Sequence, residues 1–143
     1  IEMIDAVLVG PGGTWTLTAA GERGRFSRRN GHWYRWNGST DSWVPWDPAP
    51  ATAARLAGRR LALYLDRAGL PAVVEPILVP PSDMEVVVEP GEVIGLTIEH
   101  DTTRLASLVT AEERLSQSQV ERIVTLLDPR QPLPRLVQAT PRG

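Results

Sequence analysis

A tight turn between two strand-like stretches at the start of the chain constrains its fold more than any other feature. Residues 3–9 are rich in Ile, Val and Leu, and residues 10–13, Gly-Pro-Gly-Gly, predict a turn. Residues 14–19 then alternate, with Trp15 and Leu17 on one face. The opposite face carries Thr14, Thr16 and Thr18. This period of two predicts a β-strand with one buried face and one solvated face.

A second hairpin is predicted directly after the first. Asn30-Gly31 is typical of a two-residue hairpin turn, and it separates residues 25–28 from residues 32–36. The two hairpins together predict an antiparallel meander. Residues 37–50 contain Asn-Gly and three prolines, which indicates a loop.

The remaining segments predict helices and strands in mixed order. A long buried helix is expected over residues 51–68 and stops at Gly69, and further strands over 73–79, 84–88 and 93–98. Asp101 is a candidate cap for a short helix over residues 102–109, and Ser116 with Gln119 has the spacing of a capping box. We therefore expect an α/β (α+β) domain with one mixed sheet over residues 1–128, followed by a proline-rich irregular tail over residues 129–143.

Composition excludes several classes of protein. The 143 residues carry a net charge of −2, which argues against a uniformly basic nucleic-acid binder. No cysteine is present, so disulfides and thiolate chemistry are excluded, and a cytoplasmic location is expected. No apolar run is long enough to span a membrane. All 15 basic residues are arginine, so no reaction of this chain uses a lysine.

Five arginines are concentrated around the second hairpin and are interleaved with aromatic residues. These candidate nucleic-acid-binding residues are Arg23, Arg25, Arg28, Arg29 and Arg35. Arginines contact phosphates and aromatic rings stack on bases, so the pattern is typical of a surface that binds DNA or RNA. The alternative is a solvated hairpin with its aromatic residues packed inward. Because neighbouring strand residues point to opposite faces, the rings cannot all be buried in a small edge hairpin.

Two tryptophans in the following segment form a separate candidate surface. Trp43 and Trp46 alternate with Pro45 and Pro48, which indicates an apolar loop. Such a loop either covers the core or forms a contact with a protein partner or a second copy of the chain. The two histidines lack the close spacing of a metal site.

The order of these elements resembles the NERD (nuclease-related) domain of the PD-(D/E)XK restriction-endonuclease-like superfamily. The resemblance rests on "IDAVLVGPGGTWTL" and "GRF", the helical stretch "ATAARLAGRRLALYLDRAGL", the strand "VVEPILVP" and the closing helix "LSQSQVERIVTLL". It covers roughly residues 1–128, and the first hairpin is its most specific part. The family has an acidic helix before the first strand, which this chain lacks, so we expect a trimmed start.

The resemblance implies a metal-dependent nuclease site whose key residues are missing. In the family, an acidic residue on the first strand and a carboxylate near the end of the second bind a divalent metal, and a lysine two residues later helps to activate water. Asp5 matches the first acid, but Thr18 stands at the carboxylate position and Ala20 at the lysine position. Glu22 is the one nearby carboxylate that could rebuild a shifted Mg²⁺ or Mn²⁺ site with Asp5.

We therefore expect a nuclease-related domain without nuclease activity or a cofactor, acting as a module that binds nucleic acid or protein. Two alternatives stay open. One is a divalent-metal-dependent DNA nuclease with a rearranged site, in which Asp5 and Glu22 bind the metal. The other is a structural domain that dimerises through Trp43 and Trp46.

Overall fold

The computed structural model describes residues 6–110 and 114–128 and confirms the mixed α/β class. The strands are β1 (Ala6–Gly10), β2 (Gly13–Ala19), β3 (Gly24–Arg29), β4 (His32–Asn37), β5 (Ser42–Pro45), β6 (Val74–Val79), β7 (Met84–Val88) and β8 (Thr97–Ile98). The helices are α1 (Ala49–Arg67), α2 (Thr102–Val109) and α3 (Gln117–Leu127). The predicted proline-rich tail lies outside the described residues.

The strands form two four-stranded sheets, so the expectation of one mixed sheet was wrong. The first sheet has the order β1-β2-β6-β8 and the second has the order β5-β4-β3-β7. The predicted meander is divided between them, because β2 pairs with the distant β6 instead of with β3. Each sheet combines antiparallel neighbours in sequence with parallel pairs, which are β2–β6 and β6–β8 in the first sheet and β3–β7 in the second.

The chain crosses from the first sheet to the second twice, and the two crossings run side by side. The first connects β2 to β3 and the second connects β6 to β7. Ala20 donates its backbone N–H to the Val79 carbonyl at 3.0 Å, and Gly24 donates to the Asp83 carbonyl at 3.1 Å. The Arg23 side chain reinforces the junction with an ion pair to Asp83 at 2.8 Å. The parallel pair β2–β6 of the first sheet is thus continued by the parallel pair β3–β7 of the second.

Strand β2 is buried on both faces, which corrects the expectation of a solvated threonine face. Trp15 packs with Ile77 and Leu105, so this face meets α2. Helix α1 covers the opposite face with small side chains that include Ala54 and Ala57. The threonines on that face are Thr14, Thr16 and Thr18, at 1%, 0% and 7% exposed, and their hydroxyls have no hydrogen-bond partner among the described residues. Threonine is small enough to lie under a closely packed helix.

Helix α1 packs closely on the sheet at a glycine. A Cβ atom added at Gly58 would lie 3.3 Å from the Cβ of Pro76 in β6. Further along the same helix, Leu61 and Leu65 form a second core with Ile123 and Leu126 of α3. This helix therefore joins β6 to α3. The part of the chain that the structure describes contains no helix long and apolar enough to cross a bilayer.

The local turn and cap predictions were confirmed. Asn30 and Gly31 have φ angles of 52° and 76°, as a type I′ hairpin turn requires. Asp101 accepts a hydrogen bond from the Thr103 N–H at 2.8 Å, and the capping box at Ser116 is present. Helix α1 ends one residue before the predicted end and is followed by Gly69 with φ 78°.

Two segment predictions were wrong. Residues 37–50 are not all loop, since β5 pairs with β4 and α1 begins at Ala49. The strand expected over 93–98 is reduced to Thr97–Ile98, which pairs with β6. In both cases the extent of the strand depends on a partner strand rather than on local composition.

Candidate nucleic-acid interface

The outward-facing side of the second sheet brings two of the five predicted arginines together with three aromatic rings. Along β3, Arg25 and Arg29 lie on the same side because strand side chains alternate. The register of β3, β4 and β5 adds three rings to this side. We call this surface the outer face, and it consists of Arg25, Arg29, Tyr34, Trp36 and Trp43.

Direct contacts between cations and rings hold the outer face together. The Arg25 guanidinium carbon lies 5.5 Å from the centre of the Trp36 ring and 5.8 Å from that of Trp43. The Arg29 guanidinium carbon lies 5.2 Å from the Trp43 ring and 5.5 Å from the Tyr34 ring. Trp36 and Trp43 contact each other edge to face at 5.3 Å. These contacts fix the positions of both guanidinium groups before any ligand binds.

The positive charge of the outer face is only partly neutralised. Arg25 forms an ion pair with Glu85 of β7 at 3.4 Å, and both side chains are more than half exposed. An exposed pair of this kind contributes little free energy and is easily replaced by another anion. Arg29 has no ion pair with any residue in the described ranges 6–110 and 114–128. The outer face can therefore offer guanidinium N–H donors to an external anion.

The other three predicted arginines lie elsewhere, so the five do not form one patch. Arg23 lies in the crossing between the sheets and pairs with Asp83. Arg28 points to the opposite side of β3 and forms a largely buried ion pair with Glu92 at 2.9 Å. Arg35 is exposed, but its register partner is the buried Phe26, which places it on the inner side of β4.

Trp43 and Trp46 belong to different surfaces, contrary to the expectation of one apolar loop. Trp43 lies in β5 on the outer face. Trp46 packs inward, with its ring centre 4.3 Å from that of Phe26 and 5.7 Å from that of Trp33. The interpretation as a cover over the core therefore fits Trp46, and only Trp43 remains available on the surface for a partner.

A pocket lies next to the outer face, at the edge of the sheet where β5 ends. We call it the aromatic pocket. Its volume is about 410 Å³, and its lining includes Trp33, Tyr34, Pro45, Trp46 and Pro48. Tyr34 belongs to both the outer face and this pocket. Arg28 and His32 lie at the side of the pocket where the β3–β4 turn passes.

The end of β2, where the family resemblance expects the catalytic residues, is closed by apolar packing. Thr18 is 7% exposed and Ala20 is 8% exposed. Ala20 packs in a core with Phe26, Ala54, Leu78 and Met84. A carboxylate or an ammonium group at these two positions would lose most of its contact with water.

The shifted metal site stays a prediction. Glu22 is half-buried in the crossing between β2 and β3, while Asp5 lies outside the described residues. Within residues 6–110 and 114–128, no three His, Cys, Asp or Glu side chains come close enough to bind one metal ion.

Sequence reasoning identified the arginines but missed how they are grouped. The signal was present in part, because a two-residue turn at Asn30-Gly31 pairs Arg29 with His32 and thereby fixes the register of β3 and β4. Alternation would then have placed Tyr34 and Trp36 on the side of Arg25 and Arg29. The contribution of Trp43 cannot be found in this way, because the composition of residues 37–50 indicates a loop.

Comparisons with known proteins assign neither a family nor a function to this chain. No protein-family model, no curated protein and no solved structure matches the chain.

Proposed function

We propose that this domain is a non-catalytic module that binds single-stranded nucleic acid on its outer face. The observation that carries the proposal is the pairing of Arg25 and Arg29 with Tyr34, Trp36 and Trp43 on one exposed side of a sheet. Sheet surfaces of this composition bind unpaired bases by stacking on the rings, while cations contact the phosphates. The NERD resemblance, with its DNA-handling context, is consistent with this role.

The net charge of the chain supports binding at one local surface rather than over the whole protein. The chain as a whole carries a net charge of −2, so long-range attraction to nucleic acid is weak. The outer face combines a guanidinium that has no ion pair among the described residues, on Arg29, with three half-buried aromatic rings. We therefore expect modest affinity, strong dependence on salt and a preference for single strands over duplex.

The absence of catalysis is proposed from the packing around β2. Thr18 and Ala20, which stand where the family has its carboxylate and lysine, are buried beside apolar side chains. Supporting a metal there would require a charged group to be buried without a partner. We expect a single-stranded oligonucleotide to stay intact in the presence of Mg²⁺ or Mn²⁺. A cytoplasmic location stays a prediction.

The binding test is fluorescence anisotropy with a labelled oligothymidylate over a range of salt concentrations. The variant Arg25→Ala/Arg29→Ala should weaken binding and flatten the salt dependence, by about 0.7 in log–log slope for each phosphate that the variant no longer binds. A matched control is Arg59→Ala/Arg60→Ala, which removes the same charge from the exposed side of α1. Equal weakening in both double variants, or no binding at low salt by the unmodified protein, would refute the proposal.

A further inference from the structure

A carboxylate borders the outer face on the strand next to β3. Glu85 of β7 is the register partner of Arg25, and the two side chains meet on the same side of the second sheet. The Arg25 Nε–H donates to Glu85 Oε1 at 3.4 Å. The two side chains are 56% and 60% exposed, so a ligand on the outer face can reach both. This edge of the outer face therefore presents a hydrogen-bond acceptor directly beside a donor.

Both members of this pair retain hydrogen-bonding capacity that the described residues do not use. Within residues 6–110 and 114–128, Nε is the only guanidinium nitrogen of Arg25 with an acceptor, which leaves the Nη N–H groups. In the same ranges the second carboxylate oxygen of Glu85 accepts no hydrogen bond. The Arg25 guanidinium carbon also lies 5.5 Å from the centre of the Trp36 ring, which places the pair beside a stacking surface. The pair can therefore hold the edge of a planar group that presents an acceptor next to N–H donors.

Among the nucleic-acid bases, guanine fits this pair best. Its Watson–Crick edge presents the O6 acceptor beside two adjacent donors, the N1–H and the N2 amino group, and a carboxylate can accept from both donors at once. Adenine and cytosine each present one amino group next to a ring-nitrogen acceptor. Thymine and uracil present a single N–H between two carbonyl oxygens, which would face the carboxylate unfavourably. The chemistry of the pair therefore discriminates between bases, whereas stacking on aromatic rings does not.

We propose that Glu85 makes the outer face selective for guanine in single-stranded nucleic acid. The carboxylate accepts the N1–H and N2–H of an unpaired guanine, and Arg25 donates to O6. Arg29, which has no ion pair with any described residue, contacts a phosphate. In a duplex the same edge of guanine is occupied by cytosine, so this contact is made with single strands alone. The proposal rests on the proposed function and names the base that its surface reads.

The experiment compares three labelled oligonucleotides of equal length by fluorescence anisotropy, in lithium buffer so that guanine quadruplexes do not form. The first is an oligothymidylate, and the others replace every third thymidine by deoxyguanosine or by deoxyinosine, which lacks the 2-amino group. The guanine oligonucleotide should bind about fivefold or more tightly than the oligothymidylate, and the inosine one should lie between them. Equal affinities for all three would overturn this proposal and leave the proposed function standing. No binding of any of them at low salt would refute both.

A substitution at Glu85 assigns the preference to its carboxylate. Glu85→Gln should abolish the preference for guanine, because the amide retains only one acceptor oxygen. Oligothymidylate should bind this variant at least as tightly as it binds the unmodified protein, since a negative charge near the phosphates is removed. The matched control is Glu121→Gln, which removes the same charge from an exposed position on α3 and should keep the preference. A guanine preference that survives in Glu85→Gln, or that is lost equally in Glu121→Gln, would show that the Glu85 carboxylate does not read the base.

Discussion

Replacing Thr16 by valine should stabilise this protein. Thr16 is 0% exposed, lies between Val7 and Pro76 in the register of the first sheet, and has a buried hydroxyl without a partner in the described part of the chain. Leaving such a group unsatisfied costs about 1–3 kcal/mol. Valine has nearly the same shape and the same β-branched preference for strands, so Thr16→Val replaces the hydroxyl by a methyl group without overpacking.

We expect the free energy of unfolding to rise by about 1–2 kcal/mol, since part of the desolvation penalty is recovered and a buried methyl group is added. For a domain of this size, each 1 kcal/mol corresponds to roughly 4 °C in Tm. Urea unfolding followed by circular dichroism measures the change, with an unaltered m-value as the check on two-state behaviour. Thr16→Ser is the matched control, because it keeps the hydroxyl and loses a methyl group, and it should be less stable than the unmodified protein. If Thr16→Val were destabilised as much as Thr16→Ser, the hydroxyl would be bonded to a buried acceptor or water and the reasoning would be refuted.

Two further predictions concern α1 and the start of α2. Gly58→Val should lower the free energy of unfolding by about 1–3 kcal/mol, because any side chain there meets the rigid Pro76 ring at 3.3 Å; urea unfolding would contradict this if the variant matched the unmodified protein. The pKa of Glu99 is held below its usual value of 4.5, mainly because its carboxylate accepts the Asp101 N–H and also because Arg104 is close. Since the pKa is lowered in the folded state, Glu99 contributes stability above about pH 4.5 that is lost as the pH falls through the lowered pKa. The difference in urea midpoint between the unmodified protein and Glu99→Gln should therefore shrink with acidification, and a constant difference would show that ionisation of Glu99 is not involved.

Features set by neighbouring residues could be predicted from the sequence, and features set by distant pairing could not. Asn30-Gly31 determines its turn through the backbone freedom of two residues, and Ser116 with Gln119 forms a cap within a single helical turn. These predictions need no knowledge of the rest of the molecule. The pairing of β2 with β6 joins residues on opposite sides of α1 in sequence, and no local pattern in β2 indicates it.

The threonine face of β2 shows why sequence alternation does not predict the burial of a strand face. Thr14, Thr16 and Thr18 appear in sequence as the polar half of an amphipathic strand. Threonine is nevertheless compact and β-branched, so it packs in a core when a helix rich in alanine lies above it. The sequence contains both the threonines and the alanine-rich helix, but only the fold brings them into contact.

The candidate interface could be predicted by residue type but not by geometry. Arg25 and Arg29 lie on one side of β3 and Arg28 lies on the other, because strand side chains alternate. Arg23 lies outside β3, in the segment that crosses between the two sheets. The role of Trp43 depends on β5, an edge strand of four residues that forms on a partner. The aromatic pocket arises where that strand ends, so it has no signature in the sequence.

The side-by-side crossings between the sheets determine when this domain can fold during synthesis. Trp15 faces Glu75 across one sheet and Arg25 faces Glu85 across the other, and both pairs are separated by 60 residues. At ~5–20 residues per second, a ribosome needs roughly 3–12 s to deliver the second member of each pair after the first. During that interval β2 and β3 expose unpaired edges to other nascent chains, which makes them sites for mispairing or for holding by a chaperone. The domain therefore completes neither sheet before β7 has left the ribosome.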